Sequence, residues 1–263
     1  MTYETIRMET DPRGVAQVVL NRPDKHNAMD AQMIAELTDA ARQLAEDNMV
    51  RVVVLRGEGK TFCAGGDLGW MRSQAEQDRA GKIAEARKLA DMLGLWNALP
   101  KPVIGRIHGA AFGGGLGLLA ICDVAVAERS TRFALTETRL GLIPATIGPF
   151  VMRKLGEGYG RQVFLNSKPF DADFLWRAGA VAKVCAAEQL DETVEAEVNA
   201  LLQCAPSAVA DAKALCLSLK DMSAADAYEA SIDALANRWE TAEAQDGIRA
   251  FFAKEAPAWR ETN

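Results

Sequence analysis

Apolar and polar positions alternate at the start of the chain. Ile6 and Met8 are set against Thr5, Arg7 and Glu9, and Asp11-Pro12-Arg13-Gly14 supplies a turn before a second extended run at 15–21. That pattern predicts a β-hairpin. Asp30 then stands as an N-cap ahead of Met33, Ile34, Leu37, Ala41 and Leu44, which recur at helical spacing. Residues 51–57 (RVVVLRG) form a continuous apolar run of the kind buried on both faces of a sheet, so a strand, helix, strand crossover is expected. A long helical pattern over 74–97, carrying Ile83, Leu89, Met92, Leu93 and Trp96, runs up to Pro100 and Pro102. Trp70 and Trp96 are expected to be packing residues.

Residues 102–109 read as another strand and lead to three consecutive glycines, Gly113, Gly114 and Gly115, followed by an apolar helical pattern. A strand that turns into a helix start exposes backbone N–H groups. Glycine lets a ligand approach them, and the positive end of the helix dipole favours negative charge there. Downstream, past a polar loop, Glu137 stands in a run that is otherwise apolar (Phe133, Ala134, Leu135, Leu140, Leu142). Two readings are open at this level: an anion-stabilising turn with a nearby acid–base group, or glycines that only allow close helix packing and a glutamate that caps or pairs. Residues 60–72 (KTFCAGGDLGWMR) repeat the arrangement. Gly65 and Gly66 either present a second N–H, as a two-donor oxyanion hole requires, or make an ordinary strand-to-helix connection.

Beyond the glycine turn, short helices are expected around 153–160 and 172–180 and a return strand at 181–185. From Leu190 onward the pattern is only helical, punctuated by Pro206, Met222-Ser223 and Asp246-Gly247. Neither a repeat nor a low-complexity linker is evident.

Composition narrows the function classes. Among 263 residues, 49% are hydrophobic and 25% charged, as in ordinary globular proteins, and the net charge of −6 argues against a general nucleic-acid binder. Five scattered cysteines give no disulfide framework and no CxxC spacing, so a reducing, cytoplasmic compartment is expected. His26 and His108 are too few for a histidine-rich metal site, and no metal is expected. No signal peptide is evident. The longest weakly charged run, 110–127, is glycine-rich and broken by Asp123, which makes it core and not a membrane span.

Four stretches, LNRPDKHNAM at 20–29, TFCAGGDLGWMR at 61–72, PVIGRIHGAAFGGGLGLLAICD at 102–123 and FALTETRLGLIP at 133–144, together resemble the crotonase superfamily, the enoyl-CoA hydratase/isomerase family. The resemblance runs nearly end to end. It implies an α/β fold, with a spiral core of β-β-α repeats over 1–195 that holds the coenzyme A and acyl sites. A helical region over 196–263 would serve oligomerisation into a homotrimer or a dimer of trimers. It also implies an acyl-CoA thioester substrate with no separate cofactor, and neither nucleic acid nor membrane as a partner.

By position, the resemblance places the N–H groups of Gly66 and Gly114 on the thioester oxygen and Glu137 at a catalytic carboxylate position. Ala64 and Leu68 fall where the family contacts adenine and pantetheine. Arg22 and Lys25 fall in the loop that meets coenzyme A phosphates. Phe251 and Lys254, in GIRAFFAK, match a segment that serves the nucleotide end, sometimes of a neighbouring subunit.

One departure bears on mechanism. Two-glutamate hydratases carry a first glutamate where this chain has Gly117, and many members have a glycine-rich PGxGG run where it reads Pro144-Ala145-Thr146-Ile147-Gly148. The combination most resembles the methylglutaconyl-CoA hydratase branch. Arg72 is a candidate partner for a distal carboxylate on such a substrate. Hydration through one carboxyl group that relays the water's protons is expected, with a Δ3–Δ2 isomerase as the alternative and a catalytically reduced binding protein as a third reading.

Overall fold

The computed structural model describes residues 3–260. β1 (Ile6–Thr10) and β2 (Val15–Leu20) pair antiparallel about the 11–14 turn. The Asp30 carboxylate accepts from Met33 N at 2.9 Å and starts α1 (Ala31–Glu46), whose Met33, Ile34, Leu37, Ala41 and Leu44 stripe is buried. The chain returns as β3 (Val52–Gly57), parallel to β2, which completes the expected crossover.

The helical pattern at 74–97 is two helices, not one. α2 (Leu68–Glu76) and α3 (Arg79–Asn97) are separated because Asp78 accepts from Gly81 N at 2.8 Å and caps a new start. Then β4 (Val103–Ile107) and β5 (Ala110–Phe112) precede α4 (Gly114–Ala120), and β6 (Val124–Glu128) and β7 (Arg132–Ala134) precede α5 (Gly148–Phe164). This is the β-β-α repeat: the first strand of each pair joins a large sheet, the second a small one. α5 is longer than the 153–160 expectation and bends at Gly156, whose φ of 66° lies outside the helical range. β8 (Phe170–Asp171), α6 (Ala172–Arg177) and β9 (Lys183–Cys185) close the core. The large sheet runs β1-β2-β3-β4-β6-β9 and the small one β5-β7-β8.

Both faces of β3 are covered, as its unbroken apolar run requires. Val53 and Leu55 join the main core with α1 and α3, whereas Val52 and Val54 pack with Leu190, Val194, Val198 and Leu202 of α7 (Leu190–Leu202). α7 is therefore a layer of the core. The boundary expected at residue 195 falls inside α7, and α8 (Pro206–Leu219) starts at Pro206. Neither α8 nor α9 (Ala224–Trp239) buries a residue. α10 (Ala242–Ala253) is capped by Thr241, so Asp246-Gly247 lies inside a helix instead of breaking one. Trp96 is a packing residue as expected: fully buried, it donates its indole N–H to Leu37 O at 2.8 Å.

Candidate active site

Three segments distant in sequence are laced edge to edge. Cys63 N donates to Ala110 O at 3.1 Å and Phe112 N to Cys63 O at 3.0 Å. Met29 N donates to Gly65 O at 2.7 Å and Asp67 N to Met29 O at 2.8 Å. Gly65 has a φ of 97°, and a Cβ there would stand 2.9 Å from Phe112 O and 3.8 Å from Gly114 N, so only glycine lets the two turns close on each other. Among the described residues, the N–H groups of Gly66 and Gly114 donate to no backbone carbonyl.

Glu137 opens a 3-10 turn (Glu137–Leu140) just after β7. Gly113 N donates to Ala134 O at 2.9 Å, which ties that strand to the glycine turn. A Cβ on Gly113, the N-cap of α4 with φ 45°, would stand 3.1 Å from Glu137 Oε1. Glu137 Oε2 is buried with no hydrogen-bond partner among the described residues. Burial pushes this carboxyl above its ordinary pKa, against weaker lowering by the backbone N–H groups of Glu137 and Thr136. A carboxyl with an unpartnered oxygen and raised proton affinity is suited to take and return a proton.

Where a second carboxylate was not expected, the structure supplies an apolar filling. A Cβ on Gly117 would stand 2.6 Å from Ile147 Cγ2 and 3.5 Å from Leu93 Cδ1. Ile147 is 3% exposed. The replacement of the glycine-rich run by Ala145-Thr146-Ile147 was the sequence signal for it.

A cavity of about 540 Å³ joins these features. Gly66, Gly114, Glu137, Ala64 and Leu68 all line it. So do residues that sequence reasoning did not assign to the site: Met71, Gln74, Lys82, Glu85, and the exposed apolar Leu140, Leu142 and Ile143. Trp70, read as packing, packs on the core and also lines this cavity. A cavity of about 560 Å³ lies elsewhere, at β9, where its Arg129 is already paired with Asp173 at 2.9 Å. Among the described residues no group of His, Cys, Asp or Glu could hold a metal ion.

Other expected site residues are not brought to the cavity. Arg22 is engaged within the protein. It lies 2.9 Å from Asp30 Oδ2 and 3.2 Å from Asp67 Oδ2, and it donates to Ala28 O at 2.5 Å. Its charge is shared with the N-cap carboxylates of α1 and α2, so the phosphate contact expected of it would compete with those pairs. Lys25 is exposed on a 3-10 turn (Pro23–Lys25) with no ion pair among the described residues, outside the cavity lining. Phe251, 78% exposed, and Lys254 sit at the end of α10, also outside it. Arg72 is exposed on α2 and does not line the cavity either; the lining cation is Lys82.

The chain is similar to known proteins along almost its whole length. The family model described as enoyl-CoA hydratase/isomerase matches residues 10–262. A Thermus thermophilus protein named "Putative enoyl-CoA hydratase" is 31% identical over 245 residues, spanning 92% of this chain and 96% of its own length. A crystal structure of an enoyl-CoA hydratase from Shewanella pealeana superposes with a TM-score of 0.94 at 35% identity, covering 97% of this chain and 96% of that one. AtuE of Pseudomonas aeruginosa gives a TM-score of 0.94 at 34% identity over 98% of this chain and 100% of its own. With two glycine turns and a half-buried glutamate around one cavity, and a match along almost its whole length, the chain belongs to the enoyl-CoA hydratase/isomerase family of the crotonase superfamily.

Proposed function

We propose that this enzyme adds water to a 2-enoyl-CoA through one carboxyl group, Glu137, with the thioester oxygen held by the N–H groups of Gly66 and Gly114. The observation that carries the reading is the convergence, around one cavity, of two uncommitted N–H donors and a half-buried carboxylate whose one buried oxygen is unpartnered. Water attacks the β-carbon, the double-bond electrons pass to the thioester oxygen as an enolate, and Glu137 takes the water proton and then gives it to the α-carbon. Two N–H donors aimed at the developing oxyanion are the largest stabilising contribution in such chemistry.

Coenzyme A would enter past Ala64 and Leu68 with its phosphates toward Lys25. Phe251 and Lys254 would serve the nucleotide end from a neighbouring subunit, since their own protomer keeps them away from the cavity. A homotrimer, or a dimer of trimers, is part of this proposal. Its support is the exposed apolar row Tyr228, Ile232, Leu235 and Trp239 on α9 and the exposed Phe251 and Phe252 on α10. A cytoplasmic setting is proposed on the five free cysteines. The acyl group proposed is 3-methylglutaconyl-like, on the sequence resemblance and on the partly apolar, partly cationic lining of the cavity.

A Δ3–Δ2 isomerase is the second reading, favoured by the Ile147 side chain that leaves Glu137 without a partner carboxylate. The deciding experiment assays crotonyl-CoA, 3-methylglutaconyl-CoA and a 3-enoyl-CoA with the wild type and Glu137→Gln. Hydration by the wild type that falls roughly 10²–10⁴-fold in the variant supports the proposal. Double-bond shift without water addition selects the isomerase, and an unimpaired variant removes Glu137 from the chemistry.

A further inference from the structure

The cavity wall built by α2 and α3 changes character along its length. On α3, Leu89, Glu85 and Lys82 follow one another at helical spacing on the lining face, from a leucine 9% exposed to a lysine in solvent. Below Leu89, one turn on, Leu93 is the residue that approaches Gly117. The reacting end of the cavity is thus apolar and the outer end polar. Glu85 does not neutralise Lys82, because its carboxylate is taken by Lys88 at 2.5 Å. Lys82 itself has no ion pair among the described residues, and Gln74 on α2 lines the same end.

We propose that Lys82 is a specificity-determining residue that receives an anionic group, a carboxylate, at the far end of the acyl chain. The inference rests on reading this cavity as the acyl site. Its geometry sets the length of that chain. Leu89 to Lys82 spans seven residues and Leu68 to Gln74 six, which at the helical rise are each roughly 10 Å. A carboxylate bound at Lys82 therefore belongs to an acyl group that crosses the apolar section first, lying against Met71, Leu140 and Ile143, before it reaches the cation. Enoyl thioesters with a carboxylate on a medium-length chain fit this spacing better than a five-carbon dicarboxylic chain, so the preferred acyl group becomes one longer than the 3-methylglutaconyl-like group proposed above.

Binding of saturated thioesters tests the inference independently of catalysis. Calorimetry would compare suberoyl-CoA, glutaryl-CoA and octanoyl-CoA on the full-length wild type, Lys82→Met and Lys82→Arg. The expected result is that suberoyl-CoA binds the wild type about 10- to 100-fold tighter than octanoyl-CoA, the range of a hydrogen bond to a charged group. The ratio should collapse toward one in Lys82→Met and return in Lys82→Arg, with glutaryl-CoA gaining less. A wild type that does not prefer suberoyl-CoA overturns the assignment. So does a Lys82→Met variant that weakens all three ligands equally, because Lys82 would then serve the phosphates of coenzyme A. Failure of the Glu137 proposal would appear separately, as missing turnover of enoyl thioesters despite an intact binding ratio.

Discussion

Ile147 stands in the space that a side chain on Gly117 would need: its Cγ2 is 2.6 Å, and its Cβ 3.2 Å, from the position of a Cβ there. A β-branched side chain that is 3% exposed cannot rotate aside at low cost. The missing glutamate is thus a rebuilt wall and not a simple deletion. Gly117→Glu alone should destabilise the protein by about 1–3 kcal/mol through overpacking, without raising crotonyl-CoA hydration. Gly117→Glu combined with Ile147→Gly should recover much of that loss. Urea denaturation and hydration rates of the single and double variants check this; a stable, faster single variant would contradict it.

Glu137→Gln should separate activity from stability. Because burial raises the folded-state pKa of Glu137 above its unfolded value, its ionisation works against folding. The favourable contribution of the protonated form is complete below the unfolded pKa and is lost as pH rises through the folded pKa. The glutamine variant, free of that loss, should melt at higher temperature than the wild type at neutral pH while losing turnover. The difference should close in acid, where wild-type Glu137 is protonated in both states. Melting temperatures of both proteins across pH 4 to 8 are the measurement, and a variant less stable than wild type at pH 7 would count against burial as the cause of the shift.

Glu36 should behave in the opposite sense. Burial opposes its ionisation, but Thr5 Oγ1, Gln32 Nε2 and the N–H groups of Glu4 and Thr5 all donate to its carboxylate and hold its pKa below the ordinary value. These bonds tie the start of the chain to α1. Their stabilisation is present above the unfolded pKa and is lost as pH falls through the depressed folded pKa. Glu36→Gln should cost about 1.5–3 kcal/mol at pH 7, the range for hydrogen bonds to a charged group, with the cost shrinking at low pH. Denaturant titrations at several pH values would show this; a pH-independent difference would not fit.

Arg22 and Lys25 should part company in kinetics, although they are three residues apart. Arg22 holds Asp30 and Asp67, and Asp67 directly follows Gly66, so Arg22→Ala should disturb the N–H donor and lower kcat. It should also cost about 1–2 kcal/mol of stability, between the values for exposed and buried ion pairs. Lys25→Ala should instead raise KM with little change in kcat, as lost uniform binding does. Steady-state kinetics on the proposed enoyl-CoA substrate decide between them. An Arg22→Ala enzyme with only a raised KM would return that residue to the phosphate role.

What the sequence determined by itself was set by neighbours within a few positions. The hairpin follows from alternation about Asp11-Pro12-Arg13-Gly14, α1 from the Asp30 cap and its apolar stripe, and β3 from an unbroken run that must be covered on both faces. The two glycine turns and Glu137 were legible for the same reason, because glycine at a strand-to-helix turn and a carboxylate in an apolar run are local conflicts. Side-chain partnership was not legible. The sequence left Arg22 looking like a free cation, and only folding brings it to Asp67, 45 residues away. Ile147 meets Gly117, and Lys82 instead of Arg72 faces the cavity, because separate helices and loops pack at particular angles. α7 belongs to the core because the second face of the sheet had to be covered by something, and a helical pattern alone does not say which surface its apolar side will meet.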